Sequence, residues 1–420
     1  MVYLVLCAKL ILVVREICAV VVLLNKLFMF ILLFSLAREL GIELYGVFSY
    51  HYAIITGIAT VVGESLSVAL SRHVVLEPEK VNFNTLLNVL VWGGTGAGAL
   101  CVVVPYLFPA PASPHDISLS YITLGAFLLG FACVSNLAIT GMMYAVNSSI
   151  RWAIALASHG MFGMLLVVSV AKLDGRVESV LLVLALCTFI APIFGIFIIK
   201  GNETGASPLG RGLFSFGKTW ALLSNSGTPA IAASMLLGAP VHIMCLMIFG
   251  NSSASAAEVG LFNIFFLFYI LVTVLPSSLA SYAIVRLAGQ SGRGSKLYLL
   301  LGSVVSVCLP LLIIMSQDYW LCFLGESVCG RNELLKSAAI AGGLGLITAI
   351  LTQIMHSERL SKIVFMASLI YAVVYLASTI FLALQGGMLA LDLFKSFIFA
   401  LVAQLVVLVL VMLRVRRSCQ

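Results

Sequence analysis

Charge is scarce in this chain. Only 9% of its 420 residues are Asp, Glu, Lys or Arg, against roughly 25% in an average soluble domain. No polar stretch is long enough for a soluble domain, and the longest connections between apolar runs are residues 200–218 and 317–333. Cys-x-x-Cys and Cys/His metal spacings are missing, so neither a metal nor a cofactor is expected. Strict apolar/polar alternation is missing too, which argues against a β-barrel. A cleavable leader is not expected, because Arg15, Glu16 and Lys26 interrupt the first apolar run and no small-residue cleavage site follows. The basic residues behind the net charge of +7 are scattered singly, so nucleic acid is not an expected partner.

What is present is hydrocarbon. Hydrophobic residues make up 62% of the chain, and a run of about 20 crosses a bilayer as a helix. Twelve such runs are read at 10–36, 46–71, 85–108, 118–142, 152–171, 178–199, 219–249, 258–285, 297–316, 334–355, 363–384 and 388–413. The expected fold is therefore an all-α integral membrane protein of about twelve transmembrane helices. Cysteines inside these runs (Cys101, Cys133, Cys187, Cys245, Cys308) act as small hydrophobes. Cys322 and Cys329 share one loop, and whether they pair is left open.

Lys and Arg are unevenly divided between the two sides. With the N-terminus inside, the inner segments carry 15 of them and the outer loops 4, which favours both termini cytoplasmic. The chain also echoes itself. Gly46-Val47-Phe48 recurs as Gly260-Leu261-Phe262, and Ser67-x-Ala69-x-x-Arg72 recurs at the same offset as Ser281-x-Ala283-x-x-Arg286. Glu43 and Glu258 precede the two glycines by slightly different gaps. The division expected is a six-helix lobe over 1–200, a cytoplasmic linker over 201–218 and a second six-helix lobe over 219–420. Two such lobes share one orientation and a pseudo-two-fold axis, with a substrate path between them.

Ionisable groups inside the membrane are costly and so lead the list of candidates. Arg15 and Lys26 of the first run lie about 20° apart on a helical wheel, with Lys26 about 16 Å further along the axis. Snorkelling to the inner surface is the competing account of Arg15 and, less easily because it lies deeper, of Lys26. In the second run Ser49, Thr56, Thr60, Glu64, Ser67 and Ser71 lie within about 40° of one direction. This stripe either lines a polar cavity or packs against another helix, its hydroxyls being absorbed by backbone carbonyls. Glu64 is the candidate for ion coupling, and Arg15 is a candidate partner for it. Asp392 and Lys395 have the spacing of a local pair, with Lys395 a weaker candidate for substrate contact. His159 and His242 read as hydrogen-bonded core residues, and Pro229 and Pro240 as kinks in the seventh run. Gly93-Gly94-x-Gly96-x-Gly98 lies within a membrane run, so it reads as helix packing. Ser215-x-x-Lys218 has nucleophile spacing but no companion motif, and no catalytic residue is assigned.

Leu36-Ala37-Arg38-Glu39-Leu40-Gly41-Ile42-Glu43-Leu44-Tyr45-Gly46 is similar to the signature that follows the first helix of bacterial polysaccharide flippases, O-antigen repeat-unit flippases among them. Ala257-Glu258-Val259-Gly260-Leu261-Phe262 resembles their segment before helix 8, and Pro276-Ser277-Ser278-Leu279 a stretch within that helix. The resemblance in pattern runs over roughly the whole chain. It implies the two-lobed bundle shared with multidrug extrusion transporters and lipid II flippases, although the latter usually have fourteen helices. It also implies a bacterial inner membrane location and an oligosaccharide cargo, such as an O-antigen or lipopolysaccharide unit, linked through diphosphate to a polyprenol. Arg15, Lys26 and Lys395 are then candidates for the diphosphate. The expected partners are this lipid-linked oligosaccharide, membrane lipids, a coupling proton or sodium ion, and polysaccharide polymerase machinery.

Two other readings stay open here. An ion-coupled drug or metabolite antiporter on the same scaffold would favour carboxylates on its path, whereas two basic residues share a face of the first helix. A membrane polymerase or glycosyltransferase resembles others of its kind in a large outer loop, and the largest one here is 317–333.

Overall fold

The computed structural model describes the backbone of residues 2–76, 83–109, 119–145, 149–202, 237–253, 255–288, 293–325, 328–357 and 360–418. Helix α1, Val2–Leu76, is 75 residues long, about 110 Å of continuous rise against a hydrocarbon core of about 30 Å. It is two spans joined at Gly41, whose φ of 75° and ψ of 164° break the helix. Only glycine holds that backbone region without strain, and nothing lies within 4 Å of where a Cβ would stand. The cost of Gly41→Ala is therefore conformational. It should be about 1–3 kcal/mol, read as a lower thermal-unfolding midpoint of the detergent-solubilised protein.

The remaining helices are α2 Phe83–Leu107, α3 Leu119–Ala145, α4 Ser149–Asp174, α5 Val177–Asn202, α6 Ala239–Ser252, α7 Ala256–Ala288, α8 Arg293–Met315, α9 Gln317–Leu324, α10 Asn332–Ser357, α11 Ser361–Leu384 and α12 Ala390–Ser418, which follow the apolar runs except that α6 begins within the seventh run and α9 falls in the expected outer loop 317–333. Among the described residues there is no strand, and nine helices are long and apolar enough to cross a membrane. The expected kink at Pro240 is corrected. This proline is the second residue of α6, where its missing N–H is no loss. Pro229, and residues 203–218 of the expected linker, lie outside the described residues.

The chain divides into two compact units. The first takes the residues through Leu32, then His51–Pro109 and helices α3, α4 and α5. The second takes Leu33–Tyr50 and the chain from Val241 onward. The first unit builds its core from Leu66, Leu70, Leu86, Val89, Ile139 and Trp152. Helix α3 packs on α2 and α5, and α4 packs on α5. Gly94 and Gly98 of α2 admit Phe131 and Phe127 of α3, since a Cβ at either glycine would stand 2.8–2.9 Å from the ring. The glycine string of α2 is thus a packing surface.

In the second unit α10 is central, packing on α7, α8 and α12. Burial covers 67% of its span, against 11% for α8, which turns leucines and valines outward to lipid. Glu258, in the first turn of α7, accepts the Ala390 N–H at 2.8 Å and so caps the start of α12.

The first pair of matching strings is in contact. Residues 42–49 of α1 meet residues 256–263 of α7 within this unit, and the contacts are reciprocal about the repeat offset. A methyl group at Gly46 would run into the Ala256 carbonyl, and one at Gly260 into the Ile42 carbonyl. One turn on, Asn263 Nδ2 donates to Ser49 Oγ at 3.0 Å across a separation of 214 residues. Reciprocal contact between equivalent positions is what a local two-fold produces. The second matching string falls almost wholly on side chains outside those described.

Candidate functional site

The polar stripe of α1 divides. Ser49 is buried in the contact with α7, where it also donates to Gly46 O at 3.2 Å, so it is a packing residue and does not line an open polar face. Thr56 donates to Tyr52 O at 2.7 Å and Thr60 to Thr56 O at 2.7 Å. Their own helix satisfies both hydroxyls, as the backbone alternative anticipates. Ser67 packs on Gly141 of α3, and the Ser71 side chain is outside those described.

Glu64 is half-buried in the first unit, and the cation that acts on it electrostatically is Lys26. Among the described residues no direct ion-pair contact joins them. Lys26 also acts on Cys133 of α3. The Arg15 side chain, the partner proposed for Glu64 from sequence, is not among those described. α1 supplies both charges, one from each of the spans that the break at Gly41 separates. Next to Lys26, Asn25 turns to Gly160 of α4, and its buried Oδ1 has no hydrogen-bond partner. Ser135 Oγ and Asn136 Oδ1 of α3 are likewise buried and unpartnered, although Asn136 Nδ2 donates to Thr188 O at 3.3 Å. His159 is partly buried, and its Nδ1 likewise has no hydrogen-bond partner. The first unit thus holds buried polar atoms without partners at Asn25, Ser135 and Asn136, while Lys26 itself is exposed. Sequence reasoning found only its charges, since single Asn and Ser residues in apolar runs carry no periodic signal.

In the second unit Lys395 is exposed and reaches Asp392 Oδ1 at 3.5 Å. Asp392 also accepts the Leu389 N–H at 3.2 Å, so this pair serves the start of α12. His242 is no lone histidine. Its Nδ1 lies 3.2 Å from Tyr375 Oη, and its ring stacks on Phe266 at 4.4 Å and 15°. Phe262, Phe397 and Tyr375 enclose it further at 5.8–5.9 Å. Sequence reasoning missed this cluster, which four helices assemble. The one local signal was Phe262, Phe266 and Tyr269 at helical spacing in α7. Cys322 and Cys329 are both free and exposed.

The helices of the described residues have a membrane transporter fold. It is that of multidrug extrusion transporters and lipid II flippases. The chain superimposes on an inward-facing multidrug resistance MATE family transporter of the MOP superfamily with a TM-score of 0.66 at 12% identity, covering 94% of each chain. On the lipid II flippase MurJ in an inward closed conformation the TM-score is 0.65 at 13% identity, covering 93% of this chain and 87% of that one. In sequence it is similar to the EPS I polysaccharide export inner membrane protein EpsE of Ralstonia nicotianae. The two are 23% identical over 383 residues, 85% of this chain and 83% of that protein. No protein-family model matches the chain. The proteins it resembles are transporters and flippases, not enzymes.

Proposed function

We propose that this protein translocates polyprenyl-diphosphate-linked oligosaccharide units, of O-antigen or a similar surface polysaccharide, from the inner to the outer leaflet of a bacterial inner membrane by alternating access. The observation that carries this reading is likeness over most of the chain to a polysaccharide export protein, joined to the fold of a lipid II flippase. The physics agrees. An oligosaccharide dragged through hydrocarbon would lose its hydrogen bonds to water, and a polar path removes that cost while the prenyl tail stays in lipid. Lys26 is the candidate for the diphosphate, joined by Arg15, with Lys395 weaker because Asp392 already holds it. Glu64 is the candidate for coupling to a proton or sodium ion. Diphosphate and Glu64 compete for the charge of Lys26, so substrate arrival and the charge state of Glu64 are linked. Both termini are cytoplasmic in this reading, as the 15-to-4 basic bias favours. The polymerase machinery would act on the delivered units.

One observation favours a second reading, an ion-coupled drug or metabolite antiporter: the MATE likeness is as close as that to the flippase. The sidedness of lipid-linked sugars after deleting the gene in its host decides between them. Units accumulating on the cytoplasmic leaflet, with surface polymer lost, are the expected result. Accumulation on the outer leaflet would indicate a defect in polymerisation. Normal polymer without accumulation would leave the antiporter.

A further inference from the structure

Helix α9 has a side that its own unit does not cover. Helix α8 crosses as Leu297–Met315, 19 residues or about 28 Å of rise, which nearly fills a hydrocarbon core of about 30 Å. Helix α9, Gln317–Leu324, follows after Ser316 alone, so it starts where the hydrocarbon ends. One side of it is clamped. Leu321 and Leu324 are buried, and Trp320 meets Phe268 of α7 edge-on at 5.3 Å while its Nε1–H donates to Ser316 Oγ at 3.0 Å. The other side, formed by Asp318, Cys322, Tyr319 and Phe323, is exposed, Tyr319 by 68% and Phe323 by 47%. These four span about 140° of a helical wheel in that order. Polarity is therefore graded, with Asp318 at one edge and the two rings towards the other.

The ring edge continues the lipid-facing surface of α8. Leu311, Met315, Tyr319 and Phe323 recur every fourth residue, and all four are exposed. The helical phase carries through Ser316, whose N–H donates to Leu312 O at 3.0 Å and whose carbonyl accepts the Trp320 N–H at 3.2 Å. Single exposed apolar residues need no partner, but a contiguous row marks an interaction surface. Its chemistry changes along the way, from aliphatic on α8 to aromatic on α9, which matches the passage from hydrocarbon to headgroup layer. The other exposed tyrosines among the described residues, Tyr106 and Tyr121, also stand at span ends, those of Leu86–Leu107 and Ser120–Met143. Helix α9 has no basic residue, so attraction to anionic lipid is not what holds it.

We infer that α9 is an interfacial helix whose Tyr319–Phe323 edge sinks into the headgroup layer of the bilayer and holds the connection from α8 to α10 on the membrane surface. In the orientation proposed above, that is the outer surface. Two native cysteines test it. Cys322 lies on the exposed side of α9, and Cys329 is exposed in the connection that follows, two residues before exposed Arg331. The reduced full chain in phosphatidylcholine nanodiscs is treated with a lipid-soluble or a sulfonated, water-soluble maleimide. Peptide mass spectrometry gives the rate at each cysteine, and the ratio of the two rates cancels the intrinsic reactivity of each thiol. The lipid-to-water ratio is expected to be about tenfold higher at Cys322 than at Cys329. In a Tyr319→Glu, Phe323→Glu double variant it falls to the Cys329 value, while Tyr319→Trp keeps it. Equal ratios at Cys322 and Cys329 in the native chain would place α9 in water and overturn the proposal, and this arm decides alone if the double variant is not monodisperse. An undiminished ratio in a monodisperse double variant also overturns it, because the two rings would then not be what holds the helix down. Protection of Cys322 from both reagents would overturn it in favour of a second copy covering this face.

Discussion

Gly46→Ala and Gly260→Ala each lower the thermal-unfolding midpoint steeply, as methyl additions against a backbone carbonyl do. The reason is the identity of the atoms met. At many glycines an added Cβ touches the end of a side chain that can turn aside, as at Gly302, which faces the Ile350 Cδ1. At Gly46 it meets the Ala256 carbonyl, and at Gly260 the Ile42 carbonyl. A backbone carbonyl cannot swing away, so α1 and α7 must separate. Separation also breaks the Asn263–Ser49 hydrogen bond and leaves buried polar atoms unmet. The expected cost is about 3 kcal/mol or more for each variant. The double variant should cost clearly less than the sum, because the first methyl already opens the gap the second needs. Additive midpoint shifts would mean that the two glycines do not share one contact.

Lys26→Ala abolishes surface polysaccharide, by tenfold or more, in cells that retain the protein in the membrane. Two accounts of that loss are separable. Lys26 acts electrostatically on half-buried Glu64, so its removal strands a carboxylate in an apolar setting. If that is its whole role, adding Glu64→Gln to Lys26→Ala removes the stranded charge and restores export. If Lys26 holds the diphosphate, the double variant stays inactive, while Lys26→Arg retains partial activity because the cation is kept. The second pattern is expected, and it is read from polysaccharide yield normalised to protein in the membrane. Export at wild-type level in Lys26→Ala itself would remove this residue from the mechanism.

Composition and run length decided most of the fold. Hydrocarbon tolerates only helices or closed barrels, so continuous apolar runs leave one solution, and α2 to α5, α7, α8 and α10 to α12 lie where those runs lie. The charges were legible for the same reason: Lys26 and Glu64 stand out because membrane interiors exclude such residues. The repeat was legible as identities at one offset, but not its meaning. Only the tertiary structure brings Ile42, Gly46 and Ser49 against Ala256, Gly260 and Asn263, and so shows that the two matching strings touch. Only the tertiary structure assigns residues 33–50 to the second compact unit and turns Ser49 into a packing residue. It also makes Pro240 a helix start and gathers rings from four helices around His242. Helical periodicity reports which residues share a face and is silent on what that face meets, because partners far apart in sequence are chosen by packing.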